Sequence, residues 1–128
     1  MIDWTGIKYF KPEEFLQPDK LRPGLIEKLD KARYLAAQSF VITSSFRTVE
    51  HNKAVGGVES SAHCLAPDGF YSGIDFALLR GMTDSNKFMI LNILFVAGFW
   101  RIGIYKRHFH VDIEPHLKQN VIWISDSN

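Results

Sequence analysis

The chain has 128 residues, 46% of them hydrophobic and 23% charged, a composition typical of a globular protein rather than a disordered one. Fifteen basic against fourteen acidic side chains give a net charge of +1, which excludes the electrostatic footprint of a nucleic-acid-binding or anionic-membrane-binding protein. One cysteine excludes an intramolecular disulfide, and the length predicts one domain, residues 1–128.

The first part of the chain predicts an irregular arm, a helix, a strand and a short helix. The segment up to Pro23 combines prolines with scattered aromatic residues, which favours an arm packed on the domain. Pro23 suits the first turn of a helix, and apolar residues at helical spacing continue to about Gln38. Residues 40–43 are β-branched and aromatic, as in a strand. Thr48 is placed to cap a short helix that the glycines at 56–57 end.

The second part predicts four more strands and a long helix. Residues 73–78 are typical of a strand, and Thr83 is placed to cap a helix that Gly98 ends. The apolar residues of this helix lie nearly all round it, which predicts a buried helix. The remaining strands are predicted at 101–105, 109–113 and 121–125. Long connections and the mixed order of elements predict an α+β domain, a small, mainly antiparallel sheet with helices on one face.

The segment His108-Phe109-His110-Val111-Asp112 is the most informative feature of the sequence. In an extended strand its two histidines and its aspartate point to one face, while the two apolar residues point to the other. Upstream, Asp75 is a carboxylate in an apparently buried strand, where it needs a partner charge or a metal. His63 follows a loop rich in glycine and serine, and loop residues are often functional.

Two histidines and one carboxylate from these three segments would give a zinc ion three protein ligands. A fourth position would remain open, which is the catalytic and not the structural pattern for zinc. Other interpretations need no metal. Asp75 can form an ion pair with Arg47 or Arg101, and His63 can be an ordinary turn residue.

Three short motifs resemble those of the zinc D-Ala-D-Ala carboxypeptidases and related phage endolysins. They are Ser61-Ala62-His63, Tyr71-Ser72-Gly73-Ile74-Asp75 and His110-Val111-Asp112. In the second motif, Tyr71 and Gly73 replace the glycine and alanine that are usual in the family. Residues 10–15 and 42–57 also resemble the opening of that family and its stretch before the first zinc histidine. The similarity covers nearly the whole chain, and it implies the fold that these peptidases share with D-Ala-D-Ala dipeptidases and the hedgehog signalling domain.

The resemblance implies one Zn²⁺ per chain. The implied ligands are His63, Asp75 and His110. His108 matches an additional active-site histidine, Arg47 matches an arginine that faces the polarised carbonyl and the substrate, and Ser61 matches a serine near the substrate. Either His108 or Asp112 would act as base or proton shuttle, with Asp112 alternatively fixing a histidine ring.

The chain also departs from the family pattern. His63 and Asp75 are twelve residues apart instead of the usual seven, which implies a five-residue insertion around 66–70. Asp68 lies in this insertion and is a rival ligand to Asp75, although its Pro-Asp-Gly context is also an ordinary turn signal. Arg107 occupies the position of a glutamate base found in some relatives, and an arginine cannot accept a proton.

These observations predict a zinc metallopeptidase that hydrolyses peptidoglycan, as a D-Ala-D-Ala-type carboxypeptidase or an endolysin. The expected partner is the peptidoglycan stem peptide; neither nucleic-acid binding nor membrane insertion is expected, and the protein is expected to be a monomer. The N-terminal residues resemble no secretory signal, so we expect synthesis in a bacterial cytoplasm and action on the cell wall, as for a phage or prophage product. Two alternatives are a non-catalytic, zinc-stabilised peptidoglycan-binding module of a phage particle and a fold relic without metal.

Overall fold

Five strands form one sheet in the computed structural model, which describes residues 2–128. The strands are β1 (Phe40–Ser44), β2 (Gly73–Leu78), β3 (Arg101–Ile104), β4 (Phe109–Asp112) and β5 (Val121–Ile124). Their order across the sheet is β1-β2-β4-β3-β5. All neighbours are antiparallel except β3 and β5, which are parallel. The predicted α+β fold with a mainly antiparallel sheet is therefore confirmed.

Capping residues set several of the helix ends. They are α1 (Leu25–Ala36), α2 (Val49–Ala54) and α3 (Asp84–Ala97). The hydroxyls of Thr48 and Thr83 accept backbone N–H bonds at the starts of α2 and α3, as predicted. Gly98, with φ of 100°, ends α3 in the left-handed conformation. Pro23, however, lies before the first turn of α1, because Gly24 is the residue that caps this helix.

The N-terminal arm packs on the domain and contains two single-turn 3₁₀ helices, Pro12–Glu14 and Pro18–Lys20. Phe10 and Phe15 of the arm are buried in the core. The fully buried Tyr71, just before β2, donates a hydrogen bond from its hydroxyl to Leu16 O at 2.6 Å. The arm is thereby tied to the same strand that carries one of the predicted metal ligands.

Alternation along β2 and β4 separates the core from the polar face of the sheet. Phe76 on β2 and Phe109 on β4 are fully buried and stack with ring centroids 5.6 Å apart, within the core that includes residues of α1 and α3. Burial of such a side chain stabilises the fold by roughly 1.5–3 kcal/mol. Asp75 and His110 are the neighbours of these phenylalanines along the chain, so they project from the opposite face.

The prediction that α3 is buried on all sides is wrong. Ile90, Leu94 and Ala97 are buried, but Phe88 is 72% exposed and Val96 is 65% exposed. The reason is that a helix on the outside of a two-layer domain has packing partners on one face only. No helix within residues 2–128 is long and apolar enough to cross a membrane.

Candidate metal centre

Three side chains predicted to bind a metal converge on one point. His63 Nε2 lies 3.0 Å from Asp75 Oδ1, and His110 Nδ1 lies 2.9 Å from the same oxygen. The two imidazole nitrogens are 3.2 Å apart. All three residues are buried, and they are the one group of at least three such ligands that can hold a metal within the described chain. The structure thus brings together residues from a loop and from two neighbouring strands.

Sheet register places two of these three residues. Asp75 on β2 and His110 on β4 are direct partners across the antiparallel pair, so their side chains project side by side from the same face. Gly73 allows the close approach of the third segment. A Cβ atom at Gly73 would lie 3.0 Å from both Ala62 Cβ and His110 Cε1, so a larger residue would force the His63 loop or the ring to move.

The five-residue insertion does not separate His63 from the sheet. The backbone N–H groups of Ser72 and Gly73 both donate to Ala62 O, at 2.8 and 2.9 Å. These bonds fasten the residue before His63 to the start of β2. The intervening chain, including 66–70, forms a loop closed at its base, with Ala66 N donating to Phe70 O. The longer spacing between histidine and aspartate is therefore compatible with convergence of their side chains.

Each imidazole is oriented by a hydrogen bond from its second nitrogen. His63 Nδ1 donates to Ser45 O at 2.7 Å, which leaves the lone pair of Nε2 directed at Asp75. His110 Nε2 donates to Asp112 Oδ2 at 2.7 Å, and Asp112 in turn accepts from Arg101 Nε at 2.7 Å. Such outer partners fix both tautomer and ring orientation in metal sites.

The donor set fits a divalent metal of the zinc type. Two imidazoles and one carboxylate are common ligands of catalytic zinc, which binds nitrogen at about 2.0–2.1 Å. That bond length corresponds to donor atoms about 3.3 Å apart in a tetrahedron, close to the observed separations of 2.9–3.2 Å. The three atoms also face a cleft of about 740 Å³. A small movement of the side chains would therefore admit an ion and leave one side open to the cleft.

Electrostatics at the centre favour a cation. Burial alone would raise the pKa of Asp75, but its close contacts with the imidazoles of His110 and His63 outweigh burial and hold that pKa well below the usual carboxyl range. Burial disfavours charge on His110, yet its bonds to Asp112 and Asp75 raise its pKa to about 9. Burial lowers the pKa of His63. Two ionised carboxylates therefore flank His110. Arg47 pairs with Asp75 and Arg101 pairs with Asp112, and a proton on His110 or a metal ion would add positive charge between the two carboxylates.

The remaining predicted site residues also line the cleft. Arg47 contacts Asp75 Oδ2 through Nη2 at 3.3 Å, so the ion pair considered as an alternative is present together with both histidines. His108 Nε2 lies 3.6 Å from the same carboxylate oxygen. Ser61 lies at the mouth of the His63 loop, where its hydroxyl accepts the N–H of His63 at 3.2 Å.

Asp68, the rival ligand, is not part of this group. Its two carboxylate oxygens accept bonds from Arg22 at 2.6 and 3.0 Å, and its side chain is 42% exposed. Arg22 also donates to Ser72 Oγ and approaches Glu114, both buried. The insertion is therefore anchored to the domain by an arginine, an interaction for which the sequence offered no signal beyond the charges themselves.

Two aromatic residues of the cleft were not predicted from the sequence. Tyr105 and Trp123 line the side of the cleft next to His108 and His110. The His108 and Tyr105 rings are stacked with centroids 4.4 Å apart, and the His110 and Trp123 rings are 5.5 Å apart. A tryptophan among the aliphatic residues of a short edge strand was the available signal, but alone it is equally typical of packing.

An α+β domain with a buried His-Asp-His group at an open cleft has the arrangement expected of a metal-dependent enzyme. A family model described as Peptidase M15 matches residues 8–114, and the chain belongs to this family. The family predicted from the motifs is thereby confirmed, and the protein is a metallopeptidase. Comparisons with curated proteins and with solved structures gave no match. The matched range includes all three ligand candidates but ends before β5.

Proposed function

We propose that this metallopeptidase is a zinc enzyme that hydrolyses peptide bonds in peptidoglycan, as a D-Ala-D-Ala-type carboxypeptidase or an endolysin. The observation that carries the proposal is the convergence of His63, Asp75 and His110, each buried and each with one donor atom facing a single point. Membership of the M15 family and the resemblance of the motifs to cell-wall peptidases support the choice of substrate.

His63 Nε2, Asp75 Oδ1 and His110 Nδ1 would hold the ion. Zinc bound there supplies a Lewis acid that polarises a carbonyl and makes water a stronger nucleophile at neutral pH. The protein supplies the orientation of the ligands through Ser45 O and Asp112. Because Asp112 is nearly fully buried and engaged by both His110 and Arg101, we assign it to holding the imidazole and not to proton transfer.

Arg47 is placed to stabilise negative charge on the oxygen of the scissile carbonyl. Its guanidinium lies beside Asp75 and is fixed by Nε on Ser44 Oγ at 3.2 Å and by Nη1 on Asn52 Oδ1 at 3.3 Å. A cation held rigidly in a partly buried cleft stabilises developing charge without having to reorganise during the reaction. This is the role that we propose for Arg47.

His108 is the residue that we propose to move the proton. Its Nδ1 donates to Asn128 O at 2.6 Å, so Nε2 carries the lone pair and faces the Asp75 side of the cleft. A neutral imidazole within reach of the reacting atoms can accept a proton from water and return it to the leaving amine. Arg107, at the position of the glutamate base of some relatives, is exposed and has no such role.

The proposal also covers the oligomeric state of the enzyme, its place of synthesis and its site of action. We propose a monomeric enzyme that is made in a bacterial cytoplasm as a phage or prophage product and that acts on the stem peptides of the cell wall. The support is the resemblance to phage endolysins together with a net charge of +1, which favours neither nucleic acid nor an anionic membrane as partner.

Digestion of purified peptidoglycan tests the proposed function. The zinc-loaded protein is incubated with muropeptides, and the products are separated by chromatography and mass spectrometry. Release of free alanine identifies a carboxypeptidase, whereas new internal peptide ends identify an endolysin. A protein that holds one zinc ion and binds peptidoglycan but releases neither product would contradict the proposal and favour the binding module, for which Arg107 is the supporting observation.

A further inference from the structure

A series of contacts leads from the edge strand β5 to His108. Trp123 Nε1 donates a hydrogen bond to the hydroxyl oxygen of Tyr105 at 2.9 Å. The ring of Tyr105 stacks on the imidazole of His108, with centroids 4.4 Å apart and planes inclined by only 11°. A tryptophan on β5 is therefore hydrogen-bonded to the tyrosine whose ring covers one face of the histidine.

The position of the indole is itself closely determined. Trp123 pairs with Gly103 across the parallel β3–β5 ladder, and a Cβ atom at Gly103 would lie 2.5 Å from Trp123 Nε1. The indole can lie against the sheet there only because position 103 has no side chain. Arg101 Cζ lies 5.4 Å from the ring centroid, and the His110 ring is 5.5 Å away. Contacts with β3 and β4 thus fix the orientation of the indole.

His108 needs such support because it is not held by the sheet. It lies just before β4, in a turn in which Tyr105 N donates to His108 O at 3.0 Å. Its Nδ1 contacts Asn128 O, and its Nε2 lies 3.6 Å from Asp75 Oδ2. Rotation of the imidazole about its side-chain bonds would direct Nε2 away from the cleft centre, and stacking on a fixed ring restricts this rotation.

We propose that Trp123, acting through Tyr105, is a positioning residue for His108. The inference rests on the proposed function, in which His108 moves a proton. It goes beyond the family match, which ends at residue 114 and does not include Trp123. The indole contacts neither nitrogen of His108; it sets the plane of the ring that stacks on that imidazole.

Three variants test the proposal by kinetics. Trp123→Phe keeps an aromatic ring over Gly103 but removes the donor, whereas Tyr105→Phe keeps the stacked ring but removes the acceptor. We expect each to lower kcat roughly tenfold, with KM and zinc content unchanged, because a small misplacement of a catalytic group is costly. The double variant should be no slower than either single variant, because all three lack the same hydrogen bond.

Trp100→Phe is the matched control, because Trp100 is 53% exposed and does not line the cleft. It should leave kcat and KM unchanged. A second readout is independent of activity. Stacking on Tyr105 should shift the ring protons of His108 upfield in NMR spectra, and Trp123→Phe should reduce this shift while Trp100→Phe preserves it. The His108 signals are identified by their loss in His108→Gln.

Several results would overturn the inference. A higher KM with unchanged kcat would make Trp123 a substrate contact, and loss of zinc would make it part of the metal site. Additive losses in the double variant, or an unchanged His108 shift in Trp123→Phe, would show that the hydrogen bond does not orient the ring. A wild-type protein without peptidase activity would contradict the proposed function alone, since the NMR comparison still tests the positioning.

Discussion

Asp75 and Asp68 are two aspartates that follow His63 in the sequence and contact an arginine, yet their surroundings differ completely. Asp75 is buried between two imidazoles, and its contact with Arg47 is a single one at 3.3 Å. Asp68 is 42% exposed, and both of its oxygens are bonded to Arg22. The comparison teaches that nearness to a histidine in the sequence does not make a metal ligand. The sheet register determines which aspartate can be a ligand, because it places Asp75 directly opposite His110.

The two clusters also differ in what their charges do. Around Asp75 and Asp112 the carboxylates are buried, so their charge must be balanced inside the protein. Around Asp68 the carboxylate is 42% exposed and solvated by water, although its partner Arg22 is only 14% exposed. Changes in the first cluster should therefore alter metal binding and chemistry, and changes in the second should alter little. The following four predictions test this difference.

The largest expected effect is loss of the metal. Asp75→Ala, like His63→Ala and His110→Ala, should abolish stoichiometric zinc, because a three-ligand site does not tolerate the loss of a ligand. Asp68→Ala is the matched control and should keep about one zinc ion per chain, measured by elemental analysis of protein purified without chelators. Full zinc occupancy in Asp75→Ala together with zinc loss in Asp68→Ala would show that Asp68, and not Asp75, is the metal ligand.

The next effect concerns chemistry without loss of metal. His108→Ala should keep about one zinc ion per chain while peptidase activity falls by roughly 10² to 10⁴, the usual contribution of a positioned acid–base group. Zinc content and turnover are measured on the same preparation. A wild-type rate of hydrolysis in this variant would show that His108 is a solvated side chain with no role in the reaction. Zinc loss would instead indicate a closed site with four protein ligands.

Arg47 and Arg22 extend the comparison to the two arginines. Arg47→Lys should keep the fold and the zinc but lose on the order of a hundredfold in rate, because an ammonium group does not reproduce the planar fork of a guanidinium. Arg22→Lys, the same change in the Asp68 cluster, should leave the rate per folded molecule unchanged. Equal turnover in Arg47→Lys and wild type would show that Arg47 does not stabilise the transition state and has only a packing or ion-pair role.

The smallest effect is expected at Asp68 itself. Hydrogen bonds from Arg22 hold the pKa of Asp68 below the ordinary carboxyl value of 3.8. Its stabilising contribution is therefore present above that value and is lost as the pH falls through the lowered folded-state pKa. Asp68→Asn should lower the thermal midpoint slightly at neutral pH and not at all in strong acid. A midpoint difference that persists in acid would show that the carboxylate charge is not the cause.

Much of the fold could be predicted because the responsible interactions are local. The threonine caps at 48 and 83 and the end of α3 at Gly98 each depend on a few adjacent residues. Alternation in residues 108–112 placed two histidines and an aspartate on one face of a strand, opposite Phe109 and Val111. Motif resemblance identified the family, which the match over residues 8–114 confirmed.

By itself, the sequence determined the order of the elements, the α+β class, the family and a set of residues suited to holding a metal. Only the tertiary structure separated Asp75 from Asp68, left one face of α3 exposed and brought Trp123 against His110 and Tyr105. These outcomes depend on sheet register and on which faces find packing partners. Both arise from contacts between segments distant in the chain, and local side-chain preferences do not encode them.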